Sequence, residues 1–278
     1  MNKYKQYLNG KFVDESNLLI SPRDLGFTRG YGVFEYIRTY RGRPFKLDER
    51  IKSLLNSAEL IKLKHKFTYK QIENAINELL KLNNDGREKS IRVHLSGGIS
   101  NSMYQTREPT FLILIDPFKP KDPNIYTDGV ALKTVKYWRD IPRAKNVNYI
   151  EGVRQAHINR EEGIYEPLYY SDKQVFETSN SNIFAVKEGK LYTPQNNVFY
   201  GSARSTIVND LKNDFEIIED DFGLDFLLNA DEVFLASGGK QVAPVVQIDD
   251  KKIGDGKVGK ITMNVWGKYK DFVENGTW

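Results

Sequence analysis

The stretch RDIPRAKNVNYIEGVRQ (139–155), followed further along by VFETSNSNIF (175–184), decides the reading of this chain. It sets Lys145 where a strand-like run meets a helix-like run, with Tyr149 one helical turn on. Glu177 falls at the end of a later strand. Upstream, GVALKTVKYWR (129–139) reads as a strand; downstream, NVNYIEGVRQAHINREEG (146–163) reads as a helix ending at Gly163. PLYYSDKQVFETSNSNIFAVKEGKLYTP (167–194) reads as a meander with turns at Asp172–Lys173 and Glu188–Gly189. Two further helix–strand units close the chain.

The first third mixes strands and helices. GVFEYIRTYRGRPFKL (32–47) has the pattern of a hairpin turning at Arg41–Gly42. LDERIKSLLNSAELIKL (47–63) carries the apolar stripe of an amphipathic helix, and TYKQIENAINELLKLN (68–83) repeats it with Thr68 as N-cap. SIRVHLSGG (90–98) and TFLILIDPF (110–118) are the next strands, the second apolar enough to be buried on both faces. DPFKPKDPNIY (116–126) carries three prolines and mixed charge, the composition of a linker. The expected division is therefore 1–118, a linker at 119–125, and 126–278. This order of elements argues for two α/β domains rather than one doubly wound sheet.

Composition narrows the function classes. With 278 residues, 40% of them apolar, the chain can bury a substantial core. It contains no cysteine, which excludes disulfides, thiolate metal sites and cysteine nucleophiles. His65, His94 and His157 have no metal-ligand spacing, so no metal is expected. The net charge of +4 is spread along the sequence, and the lysines of IDDKKIGDGKVGK (248–260) are interrupted by aspartates, which argues against a nucleic-acid partner. No apolar run suits a secretory signal or a membrane span, so the cytoplasm is the expected compartment.

A lysine condenses with an aldehyde only as the neutral amine, and its ordinary pKa is about 10.4. Burial or neighbouring cations depress it, and Arg139 and Arg143 precede Lys145 closely. A lysine, a tyrosine and a carboxylate brought together at strand ends are the polar groups that a pyridoxal phosphate ring needs.

At this point a resemblance becomes specific. The order IPRAKNVNY (141–149), the meander with its ETSNSN, GSARS (201–205) and DEVFLASGGKQVAPV (231–245) is similar to the class IV pyridoxal-phosphate aminotransferases, which include branched-chain and D-amino-acid aminotransferases and aminodeoxychorismate lyase. The similarity runs from RDLGFTRGYGVFE (23–35) to IGDGKVGKIT (253–262). It implies an α+β type fold with a small N-terminal domain, a larger C-terminal cofactor-binding domain, and a homodimer. It implies that Lys145 forms the Schiff base with pyridoxal 5′-phosphate and then acts as the base at the substrate α-carbon. Glu177 would pair with the pyridine nitrogen, making the ring a better electron sink. Tyr149 would reach the cofactor 3′-oxygen; its alternative is a core aromatic on the helix.

For the phosphate, Gly201 precedes a helix start that offers the amides of Ser202 and Ala203. A second loop at Gly238–Gly239 lets backbone approach an anion. Relatives usually carry threonine at the positions of Ala203 and Gly238, with Ser202, Ser205 or Ser237 as the available substitutes. The family's phosphate arginine is replaced by Ser53. Arg50, on the flank of the same helix, either takes over that task or pairs with an acidic neighbour.

For the substrate, Phe34 matches an aromatic position lining the pocket, and Arg92 resembles a pocket arginine or is a structural strand residue. Lys240, in a loop of small residues, can meet a second carboxylate such as that of 2-oxoglutarate. The arginine and histidine by which D-specific enzymes hold the α-carboxylate are not evident in GGISNSMYQ (97–105). The expected reaction is transfer of an amino group from a branched-chain or similar apolar amino acid to 2-oxoglutarate. The rivals are a lyase releasing pyruvate, a D-amino-acid aminotransferase, and a cofactor-less binding or scaffold relative.

Overall fold

Arg41 and Gly42 both take positive φ (52° and 72°), the turn geometry that matches strand twist. They join strand β3 (Gly32–Tyr40) to β4 (Arg43–Pro44) as the expected hairpin. In this computed structural model, residues 4–102, 104–159, 162–276 and 278 are described. The chain divides into two units: Met1–Lys119 with Ala144–Asn148 and Trp278, and Pro120–Arg143 with Tyr149–Thr277.

The first unit holds a six-stranded sheet in the order β2–β1–β6–β5–β3–β4. The remaining strands are β1 (Lys5–Leu8), β2 (Lys11–Asp14), β5 (Lys89–Ile99) and β6 (Glu108–Pro117). Its helices are α1 (Leu25–Arg29), α2 (Leu47–Leu60) and α3 (Tyr69–Leu82). Thr68 caps α3 in a reciprocal capping box with Gln71. Ile91, Val93 and Leu95 alternate along β5 and pack with Ile51, Leu54, Ile72 and Ile76 of the two long helices. Period-two alternation therefore turns Arg92 and His94 to the opposite face. On β6, Thr110 to Ile113 are buried without interruption, as expected for a strand covered on both sides.

The second unit is built on a nine-stranded sheet: β7 (Val130–Lys136), β8 (Ile164–Tyr170), β9 (Val175–Thr178), β10 (Asn182–Lys187), β11 (Lys190–Thr193), β12 (Ile217–Glu219), β13 (Glu232–Ser237), β14 (Gln241–Ile248) and β15 (Lys251–Lys252). Strand β9 pairs with both β8 and β10, which closes β10, β13, β14, β7, β8 and β9 into a ring. The closing pair is Asn182 opposite Glu177. Inside lie Leu132, Leu168, Ile183, Leu235 and Ala243. Around the sheet are α4 (Asn124–Thr127), α5 (Ile150–Ile158), α6 (Ser202–Ser205), α7 (Leu224–Leu228) and α8 (Lys260–Asn275). No described helix is long and apolar enough to cross a membrane.

One expected element is shorter than its pattern. The helix read over 146–163 begins at Ile150 and ends at Ile158. Residues 145–147 instead pair with β3, and a backbone engaged in strand pairing cannot also wind into a helix. Arg160 and Glu161, within the expected helix, lie outside the described residues.

Candidate active site

In the first unit, the lysine segment adds itself to the open edge of β3. Phe34 donates its N–H to the Lys145 carbonyl (2.9 Å), and Val147 donates to Gly32 (3.1 Å). The Lys145 N–H donates to the hydroxyl of Ser57, a fully buried residue of α2 (3.1 Å). Lys145 Nζ stands 5.0 Å from the centre of the Phe34 ring, and that ring stacks on His94 (5.7 Å, 19°). Burial, with the Arg92 charge adding to it, pulls the His94 imidazole down to about 4, so it is neutral at physiological pH. His94 and Val147 also line a cavity of about 410 Å³ walled by Ile20, Phe27 and Leu112, with Asp24 at its polar end. Asp24 is buried and accepts from the Gly26 N–H (2.7 Å), Ser96 Oγ (2.7 Å) and Thr110 Oγ1 (2.5 Å). Tyr149 does not stand one helical turn from Lys145: the residues between them are not helical, and α5 starts only after Tyr149.

Two cations expected near ligands have protein partners. Arg50 is buried, with its guanidinium 3.7 Å from Glu35 and 3.5 Å from Glu49, the ion-pair geometry of the second alternative. A buried carboxylate such as Glu35 demands a cation, and α2 supplies it. Arg92 pairs with Asp116 across the β5–β6 ladder (2.7 Å), the structural strand role.

In the second unit, Glu177 is buried at the closure of the strand ring. Arg139 Nε donates to its Oε1 (3.1 Å), and Arg139 Nη2 donates to the Ser179 carbonyl (2.9 Å). Glu177 Oε2 accepts from the Phe199 N–H (3.1 Å) and from Asn182 Nδ2 (3.4 Å). The guanidinium of Arg139 lies 4.6 Å from the Tyr149 ring centre and 5.8 Å from that of Tyr169. The Glu177 carboxylate is thus fixed in place by a cation and directed N–H groups. Arg139, close to Lys145 in sequence, places its hydrogen bonds on Glu177 and the Ser179 carbonyl. The available signal was the carboxylate itself, since a buried Glu requires a positive partner. Arg143 likewise bonds Tyr200 Oη (2.6 Å) and the Gln195 carbonyl (3.1 Å).

The two expected anion loops also lie in this unit. Gly201 caps α6, its own N–H donating to Asn182 Oδ1 (3.2 Å), and Ser205 donates back to the Gly201 carbonyl (2.9 Å). The amides of Ser202 and Ala203 belong to a first turn, which has no intrahelical acceptor. A Cβ at Gly201 would come within 2.7 Å of Asn182 Oδ1, so only glycine leaves this corner undisturbed. Gly238, Gly239 and Lys240 make the turn between β13 and β14. Rather than standing open to a substrate carboxylate, the Lys240 ammonium is buried in an ion pair with Glu166. A lysine enclosed this fully must carry its counter-ion with it. The chemistry of the donors in each unit suits pyridoxal phosphate: in the first a lysine beside an aromatic ring, and in the second a buried, ion-paired carboxylate with amides at a helix start and a glycine turn.

Residues 32–248 match the family described as Amino-transferase class IV. The chain belongs to the class IV aminotransferases. It is 30% identical to a D-alanine aminotransferase of Staphylococcus haemolyticus, covering 98% of each chain. It is 33% identical to a protein of Methanocaldococcus jannaschii provisionally named a branched-chain-amino-acid aminotransferase, covering 96% of each. Its fold is that of the branched-chain aminotransferase of Thermoproteus uzoniensis solved with norvaline, with TM-score 0.89, 24% identity, and 99% and 96% of the two chains covered. Class IV aminotransferases are pyridoxal-phosphate enzymes, and the α+β fold expected from the sequence is the one found.

Proposed function

We propose that this class IV aminotransferase moves the amino group of a branched-chain or similar apolar amino acid to 2-oxoglutarate. One observation carries the substrate class: beside Lys145 stand the Phe34 ring and a His94 kept neutral, while Arg92 on the same strand face is already paired with Asp116. An aromatic wall stacked on a neutral imidazole suits an apolar side chain.

In this reading Lys145 Nζ would be the group that holds the cofactor, and its free amine would be the base that moves a proton at the substrate α-carbon. The bound cofactor supplies an aldehyde and an electron sink. Glu177 keeps a proton on the ring nitrogen, and its network with Arg139 keeps Glu177 in position. Tyr149 would hydrogen-bond the 3′-oxygen, and the amides of Ser202, Ala203, Gly238 and Gly239 would hold the phosphate. With Ser53, Ala203 and Gly238 in place of the usual arginine and threonines, backbone groups carry most of that task. The two domains would be 1–118 and 126–278, joined by the linker 119–125, with residues 144–148 and Trp278 grouping with the first. The enzyme would act in the cytoplasm as a homodimer, for which the exposed apolar residues Ile150, Val153 and Ile158 of α5 offer a face.

A second reading, transfer from D-amino acids, is favoured by full-length similarity to a D-alanine aminotransferase. Screening L- and D-amino donors with 2-oxoglutarate decides between them. Turnover of L-leucine, L-isoleucine or L-valine is expected; turnover of D-alanine alone would overturn the reading. Pyruvate released from aminodeoxychorismate without an acceptor would instead mark a lyase. Borohydride should fix the visible chromophore onto Lys145, and its failure to do so would remove Lys145 from the chemistry.

A further inference from the structure

Resting on the reading of Glu177 as the partner of the ring nitrogen, we propose that the buried Lys240–Glu166 ion pair is a positioning pair, holding Glu177 and the Gly238–Gly239 turn in one arrangement for the cofactor. Lys240, Glu166, Thr178 and Ser181 are all buried. Glu166 uses both oxygens: Oε1 accepts from Lys240 Nζ, and Oε2 accepts from Thr178 Oγ1 and from Ser181 Oγ (3.2 Å).

Thr178 and Ser181 pin the tight turn between β9 and β10. The Thr178 N–H donates to the Ser181 carbonyl (2.9 Å), and the Ser181 N–H donates to Thr178 Oγ1 (2.9 Å). Directly outside this turn stand Glu177 and Asn182, the pair that closes the strand ring. Asn182 in turn holds Glu177 Oε2 and the Gly201 N–H. At its other end the network grips the β13–β14 turn. Lys240 donates its N–H to Ser237 Oγ (3.3 Å), and its carbonyl accepts from Tyr126 Oη (2.9 Å).

One ion pair therefore joins the carboxylate for the ring, the helix start at Gly201 and the glycine turn. The chemistry gives this link a purpose. Ala203 and Gly238 have no hydroxyl to offer a phosphate, so recognition leans on backbone amides beside the neighbouring serines, and amides bind well only when their frame is fixed. A buried ion pair rarely adds net stability over an apolar pair of the same volume, so geometric control is what it adds here.

The test uses the full chain. The double variant Lys240→Met/Glu166→Gln removes the pair without stranding either charge. Three quantities are read: the melting temperature of the coenzyme-free protein, the affinity for pyridoxal phosphate from its visible absorbance, and the pH midpoint of that absorbance. The double variant should melt close to the parent, yet bind the coenzyme on the order of tenfold more weakly with a displaced midpoint. Lys240→Arg, which keeps the pair, should stay close to the parent. A folded double variant with parental affinity and midpoint overturns the proposal. Should it fail to fold, Thr178→Val takes the Thr178 hydroxyl away from Glu166, together with its bonds to Ser181 inside the turn, and leaves the ion pair itself in place. It carries the same expectation, and parental values there overturn the proposal equally. Glu177→Gln in the parent is the separate control: an unmoved midpoint there sinks the ring-nitrogen reading whatever the Lys240 variants do.

Discussion

The hydroxyl of Ser57 accepts the backbone N–H of Lys145 at 3.1 Å, so helix α2 grips the segment that carries the reactive lysine. Ser57 is fully buried, and water cannot replace its oxygen without opening the core. Ser57→Ala should cost about 1–3 kcal/mol, the range for an orphaned buried donor. Urea unfolding measures that loss. The rate of borohydride fixation at Lys145 should fall with it, because the amine is then held less firmly beside Phe34. A variant as stable as the parent would show that this bond does not hold the segment.

Arg50 and Glu35 form a buried pair in the first unit. Arg50→Met leaves the Glu35 carboxylate without its principal cation, which should destabilise the protein by about 3–5 kcal/mol. Coenzyme affinity, measured on the folded fraction at low temperature, should change little. The companion variant Arg50→Met/Glu35→Gln should recover much of the stability. A tenfold or greater loss of affinity in that recovered variant would return Arg50 to the phosphate.

His94 supplies a pH dependence whose sign follows from its burial. Its imidazole titrates near 4 in the folded chain against an ordinary 6.5. Between those values the unfolded chain takes up a proton that the folded chain refuses. The contribution is therefore intact above the ordinary value, and is lost as pH falls toward 4, by no more than about 3 kcal/mol. His94→Phe keeps an aromatic ring against Phe34 and removes the titration. Unfolding free energies at about pH 7.5 and about pH 4.5 should differ less in this variant than in the parent. Equal slopes in the two proteins would show that His94 is not held neutral.

Local chemistry made much of the fold readable in advance. The Arg41–Gly42 turn needs only two residues able to take positive φ, and the Thr68 cap needs only Gln71 one turn on. For the site, the family pattern nominates Lys145 and Glu177 by residue type at a fixed place, and the fold sets the first beside Phe34 and buries the second against Arg139. What stayed hidden were long-range partners. Residues 145–147 have no periodicity of their own, and they become a strand edge only because β3 lies open beside them. Arg139 and Glu177 are 38 positions apart and meet only when β9 closes the ring. Lys240 shows the same limit: its loop of small residues suggested an open cation, whereas Glu166 on a distant strand already neutralises it.

Gly201 offers the smallest perturbation with the widest reach. Its φ of −67° suits any residue, so backbone strain plays no part, and the constraint is a close approach. A Cβ would come within 2.7 Å of Asn182 Oδ1, the atom that accepts the Gly201 N–H. Asn182 would have to move, and its Nδ2 also donates to Glu177 Oε2 (3.4 Å) and to the Phe199 carbonyl (2.7 Å). Gly201→Ala should thus disturb the helix start and the Glu177 carboxylate together, although alanine alone favours helices. The expected result is a modest loss of stability, about 1–2 kcal/mol, with a proportionally larger loss of coenzyme affinity and a shifted pH midpoint of the bound chromophore. Adding Asn182→Ala makes room for the methyl group but removes the bonds, so it should restore stability only in part and affinity not at all. If Gly201→Ala binds pyridoxal phosphate as the parent does, the amides at this corner do not contact the phosphate.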